Sequence, residues 1–160
     1  MKSTFPSEES EEGEERAAGF VLFRTIHHVR QYLLLRHRSG GHWAFPKGRL
    51  ELGETEMEAA IREIFEETNI NQLRPIPGFR ETSSYAVRRN GQQVAKTVAY
   101  FLAETDQPDV SLSLEHTEFN WLGVDDAEAV LTYDESRRIL SAADRHLTTS
   151  LGNREHADSQ

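Results

Sequence analysis

The chain has no cysteine in its 160 residues. That excludes a disulfide framework, a zinc–thiolate site and a cysteine nucleophile. It also lacks an apolar run near the roughly 20 residues that cross a bilayer, and its N-terminus lacks the basic and apolar regions of a secretory leader. Positive charge is scarce: 18 Lys and Arg stand against 27 Asp and Glu, for a formal net charge of -9. A nucleic-acid binder that works through a broad basic surface is therefore not expected. These absences describe a soluble, cytoplasmic, monomeric protein with neither nucleic acid nor membrane as partner. A small phosphorylated ligand remains compatible with the charge, provided a bound cation supplies positive charge locally.

The acidity is uneven. Residues 1–15 set Lys2 against Glu8, Glu9, Glu11, Glu12, Glu14 and Glu15, and such dense like charge with few apolar groups predicts a disordered tail. Residues 16–148 read as one domain and 149–160 as a flexible end. Ala17 to Phe23 and Tyr32 to Leu35 are apolar runs that read as buried strands, with His27, His28 and Arg30 in a solvated connection. Ser39-Gly40-Gly41 is a turn, after which Trp43 and Phe45 alternate inward. Phe79–Arg88 and Val94–Glu104 read as long strands joined at Asn90-Gly91, the strongest short hairpin signal. A polar connection with Pro108, a short strand over Glu118–Leu122 and helices over Asp125–Leu131 and Asp134–Leu147 complete the pattern. Strands on both sides of one central helix, with a closing helix, predict an α+β or α/β sandwich with a mixed sheet.

That central helix carries the chemistry. Thr55 and Glu58 form a capping box at its start, and Asn69 suits the left-handed residue that ends it. Met57, Ala60, Ile61, Ile64 and Phe65 are expected on its core side. Glu63, Glu66 and Glu67 fall at i, i+3 and i+4, so three carboxylates share a face where like charges repel. A hard divalent cation between them accounts for the cluster, Mg²⁺ first and Mn²⁺ second. Arg62 can reach Glu54 or Glu66 with its planar fork. Gly48 lets backbone approach a ligand, and Lys47 is a mobile positive charge beside the site that could meet a phosphate. A multi-carboxylate cation site with a lysine and a glycine loop suits phosphoanhydride hydrolysis, with a further glutamate outside the helix taking the proton of water.

Gly48, then five residues, Glu54, seven residues, and Arg62-Glu63-Ile64-x-Glu66-Glu67 together resemble the Nudix box, with Asn69 where a glycine is usual and Ile70 after it. From Ala17 to about Leu147 the chain resembles the asymmetrical diadenosine tetraphosphate hydrolases of that superfamily. The likeness rests on His42-Trp43 before Pro46-Lys47-Gly48, Gly78-Phe79-Arg80-Glu81 with Tyr85, Lys96-Thr97-Val98-x-Tyr100-Phe101, and Leu114-Glu115-His116 with Trp121-Leu122. The resemblance implies an α/β/α sandwich that cleaves diadenosine tetraphosphate to ATP and AMP. By position it makes Glu63, Glu66, Glu67 and the Gly48 backbone metal ligands, and Glu115 a further ligand or the base. Arg62 joins Glu66, Glu67 and Glu115 in the catalytic set. His42, Lys47 and Lys96 would contact polyphosphate, and Tyr85 and Tyr133 would clamp an adenine.

Overall fold

Residues 14–107 and 109–158 are described by the computed structural model. Strands β1 (Glu14–Ile26), β2 (Val29–His37), β3 (Trp43–Ala44) and β4 (Lys47–Arg49) precede helix α1 (Glu56–Thr68). Then come β5 (Arg74–Pro75), β6 (Glu81–Arg89), β7 (Gln92–Glu104), β8 (His116–Leu122), α2 (Val124–Val130) and α3 (Asp134–Asp158). The expected acidic tail lies outside the described residues except Glu14 and Glu15, which belong to β1 because they pair with Ala95 and Lys96 of β7. The helix α3 continues to Asp158, past the Leu147 expected from its apolar stripe. Pro108 also lies outside the described residues.

The sheet is mixed. β1 and β7 pair in parallel over Glu14–Phe23, while β6 and β5 pair antiparallel to the far side of β7. The centre of β1 is an unbroken apolar run because helices cover both its faces. Its side chains alternate: Ala17, Val21 and Phe23 join Leu131, Ile139, Leu140, Ala143 and Leu147 in one core on the α2–α3 side. Ala18, Phe20 and Leu22 join Ala59, Ala60 and Ile64 in a second core under α1. The architecture is thus the α/β/α sandwich that the element order implies. Arg30, expected in a connection, lies in β2; its Nη1 donates to Asp144 Oδ1 at 2.9 Å and the Tyr32 hydroxyl donates to the same atom at 2.6 Å, tying β2 to α3.

Two hairpins have two-residue loops. Asn90 and Gly91 both take positive φ, 52° and 77°, the mirror-image turn that matches strand twist. His27 and His28 do the same at 49° and 67°, a region that His tolerates better than β-branched residues. The buried stripe of α1 is narrower than its sequence suggests: Ile61 and Phe65 are 43% and 45% exposed. Successive helical residues turn by about 100°, so a stripe centred on Ala60 and Ile64 leaves their neighbours on the flank.

The site is prepared by a separation of strands. β1 and β2 pair only through Phe23–Ile26 and Val29–Tyr32 and then diverge. The wedge between them is filled by the β3–β4 segment: β3 pairs with β2 through Ala44, and β4 pairs with β1 through Lys47, Gly48 and Arg49. Gly19 makes this filling possible. A Cβ there would lie 2.2 Å from the Pro46 carbonyl oxygen and 2.9 Å from Lys47 Cα, both backbone atoms that cannot swing aside. Gly19→Ala is therefore expected to lose about 1–3 kcal/mol of stability in urea unfolding, the usual scale of overpacking. An unchanged unfolding midpoint would show that β4 is not pressed against β1 as described.

Candidate active site

The wedge brings α1, the β3–β4 segment and the turn before β8 to one place. Helix α1 starts at its capping box, where Thr55 Oγ1 accepts from the Glu58 amide at 3.1 Å and Glu58 Oε1 accepts from the Thr55 amide at 2.9 Å. It ends at Asn69, whose φ of 63° and ψ of 18° form the left-handed cap. The departure from glycine at this position leaves the helix ending intact, since asparagine also tolerates that conformation.

Arg62 organises the acidic face. Its fork grips Glu54 in two bonds of 2.7 and 2.9 Å, and Nη1 donates to Glu63 at 2.8 Å and Glu66 at 3.1 Å. Nη2 also donates to the Arg49 carbonyl at 2.9 Å, which fixes the loop beneath. Both alternatives read from sequence, Glu54 and Glu66, are realised at once. With its donors so committed, Arg62 fixes the orientation of these three carboxylates. Its fork also holds the Glu54 carboxyl down to about 2.

Glu67 behaves differently from its neighbours. Its side chain turns inward and is 4% exposed. Burial first, and then the charges of Glu63 and Glu115, push its carboxyl up to about 9, against the opposing pull of Lys47. One carboxylate oxygen, Oε2, is buried without a hydrogen-bond partner. Glu67, Glu115 and His116 place one potential ligand atom each within 4.8 Å of one another. Glu63 is also raised by burial, and Lys47 is lowered by burial despite Glu67 and Glu63 beside it.

The residues present fit a hard cation. An orphaned carboxylate oxygen in an acidic cluster is the atom such an ion would satisfy. Gly48 supplies the second observation. A Cβ there would lie 2.0 to 2.4 Å from the carboxylate atoms of Glu63, so only glycine lets that group lie against the backbone of β4.

The other candidates surround this centre. His42 precedes β3, and its ring lies 5.6 Å from that of Tyr133, centroid to centroid. Tyr133 is held there because Trp43 of β3 exchanges hydrogen bonds with Thr132: its amide donates to Thr132 Oγ1 at 2.9 Å, and its carbonyl accepts from the Thr132 amide at 3.3 Å. Tyr85 lies on β6 directly opposite Lys96 of β7. The tyrosines stand on separate elements and are 43% and 53% exposed, so neither is a core side chain. Lys96 lies close enough to Lys47 for their charges to repel, and burial with that repulsion lowers it.

His37 was not among the residues singled out from sequence. It ends β2, stacks on His42 at 4.2 Å and meets the edge of His116 at 4.7 Å. Burial, then the neighbouring His42 and His116, lower it to about 4. No spacing marks it, because the three rings come from β2, the turn before β3, and β8.

A glycine-entered carboxylate helix, set in a strand wedge beside two lysines, is the arrangement of a cation-dependent phosphoanhydride hydrolase. Residues 13–143 match the model of the NUDIX domain, and the chain belongs to that family. It is 36% identical over 146 residues to the asymmetrical bis(5'-nucleosyl)-tetraphosphatase of Rattus norvegicus, covering 84% of this chain and 97% of that one. The Caenorhabditis elegans protein of the same description is 37% identical over 129 residues, 78% and 91% of the two chains. The crystal structure of a C. elegans Ap4A hydrolase binary complex superposes with a TM-score of 0.77 at 36% identity, covering 84% of this chain and 98% of that one.

Gly48→Ala tests the contact that holds Glu63. The group in the way is the end of a flexible side chain, so the fold should survive with little change in melting temperature. The displaced Glu63 should cost at least about tenfold in turnover, about 1.4 kcal/mol of transition-state stabilisation. Full activity in that variant would detach Glu63 from the site.

Proposed function

We propose that this protein hydrolyses dinucleoside polyphosphates, with diadenosine tetraphosphate cleaved to ATP and AMP. The observation that carries the reading is the pair of exposed tyrosines, each beside a polyphosphate-binding candidate, Tyr85 by Lys96 and Tyr133 by His42. The similarity to asymmetrical bis(5'-nucleosyl)-tetraphosphatases over most of both chains supports it. Mg²⁺, replaceable by Mn²⁺, is the cofactor of this reading, held by Glu63, Glu66, Glu67 and the Gly48 carbonyl. When bound, it supplies positive charge to the phosphates and the leaving oxygen.

The chain's own residues divide the remaining work. Tyr85 and Tyr133 hold an adenine by stacking. Lys47, Lys96 and His42 hold the polyphosphate, the lysines as point charges. Arg62 keeps Glu63 and Glu66 in orientation through its fork. Glu115, exposed and beside the buried Glu67, takes the proton of the attacking water. With one adenosine fixed by the tyrosines, attack falls at a set distance from it, on the phosphorus next to an adenosine, and ATP departs. No described helix is long and apolar enough to cross a membrane. We place the protein's activity in the cytoplasm, as a monomer.

Four measurements test the reading. Glu67→Gln should lower kcat by at least ~100-fold, equivalent to ~2.7 kcal/mol. The same variant should lose most of the melting-temperature rise that Mg²⁺ gives the wild type, because a ligand of the folded state stabilises by mass action. An identical rise in both proteins would remove Glu67 from the metal site. Tyr85→Ala or Tyr133→Ala should weaken substrate binding by roughly 1–3 kcal/mol, with Phe restoring most of it. Unchanged KM in both alanine variants would dismiss the clamp. Reaction in ¹⁸O-labelled water should place the label in AMP; label in ATP, or two molecules of ADP, would overturn the alignment of substrate and Glu115.

A further inference from the structure

The face of the sheet that carries Tyr85 and Lys96 continues to a cationic clamp. Lys96 is paired on one side with Tyr85 and on the other with Glu15 of β1, so the three side chains project from the same face on adjacent strands about 4.8 Å apart. The Glu15 carboxylate is gripped by two guanidiniums. Arg49 Nη2 donates to Oε1 at 2.5 Å, and the fork of Arg89 donates from Nε to Oε1 at 2.9 Å and from Nη2 to Oε2 at 3.2 Å. The exposures are unequal in an informative way. The Glu15 side chain is 16% exposed, while Arg49 and Arg89 are 62% and 45% exposed, so both cations can be reached from solvent. A cavity of about 340 Å³ opens beside Arg49, where Arg16 and Arg49 face Glu14, Glu15, Glu51 and Glu54. One carboxylate shared by two arginines gives the clamp itself an excess positive charge, next to a lysine and at the edge of that acidic cavity.

We propose that Arg49 and Arg89 form a second anion site, which takes the additional phosphates of dinucleoside polyphosphates longer than the tetraphosphate. Glu15 occupies it in the absence of such a ligand. This rests on the dinucleoside-polyphosphate reading above. A polyphosphate running past Lys47 and Lys96 meets the clamp next, and planar guanidinium forks bind phosphate and carboxylate in the same bidentate manner. A phosphate carries more acceptor oxygens than a carboxylate and displaces Glu15 without leaving either arginine unpaired. The hairpin tip that carries Arg89 is thereby a determinant of chain-length preference.

The test compares kcat/KM for diadenosine tetra-, penta- and hexaphosphate, at fixed ionic strength and excess Mg²⁺, in the wild type and three variants. Arg89→Ala should lower the hexaphosphate-to-tetraphosphate ratio about tenfold, the loss of one charge-assisted pair. Arg89→Lys keeps the charge without the fork and should fall between, and it serves if the alanine variant folds poorly. Glu15→Gln should move the ratio the other way, because it vacates the clamp. A purely structural ion pair predicts otherwise: Arg89→Ala and Glu15→Gln break the same bonds, so both would lower the melting temperature and leave the ratio unmoved. Ratios that stay fixed, or shift in the same direction in those two variants, overturn the proposal. Wild-type cleavage of the tetraphosphate with such ratios would overturn the clamp alone. Failure of the wild type to cleave any of the three would bring down the parent reading with it.

Discussion

The crowding of carboxylates at the end of α1 is the constraint to which the surrounding structure answers. Glu63, Glu66 and Glu67 would repel one another on an ordinary exposed helix. Here they are held by two different means. Arg62 binds the first two, while Glu67 is driven into the protein with one oxygen unpartnered. The helix cannot relax the strain by fraying, because its capping box and left-handed end fix both termini. Gly48 and the close approach of β4 bring the backbone within reach of the same charges. The arrangement is unfavourable as a set of protein groups alone, and that makes it a good receptor for a cation.

The sheet explains why so costly a cluster can be held in place. β1 is buried on both faces, paired with β7 for ten residues, and locked to β4 through Gly19. The wedge between β1 and β2 is therefore bounded on both sides by paired strands, β1 by β7 and β2 by β8. Loops that fill it inherit positions set by main-chain hydrogen bonds, as between Phe20 and Pro46, and His37 and His42. Local charge also departs from the average. An acidic chain carries Lys47, Lys96, Arg49 and Arg89 on or beside one region of the sheet, so net charge is a poor guide to the potential a ligand meets there.

The sequence by itself determined the helix, its caps, the acidic triad, the fork of Arg62, the Asn90-Gly91 turn and the buried character of β1. All are local: they depend on period, on capping chemistry or on residues within a few turns of one another. It also led to the family, because the box is contiguous in the chain. Where one local signal covered two outcomes it misled: apolar Ile61 and Phe65 read as core but stand on the helix flank, and Glu14 and Glu15 read as tail but extend β1. Tertiary structure alone decided what meets across strands. It divided the triad by turning Glu67 inward toward Glu115 and His116, stacked His37 on His42, set Tyr133 beside His42 through Thr132, and closed Arg49 and Arg89 on Glu15. These contacts join residues up to about ninety positions apart, and no periodicity records them. Their geometry follows from where β1 and β2 part, which is set by packing on both faces of the sheet.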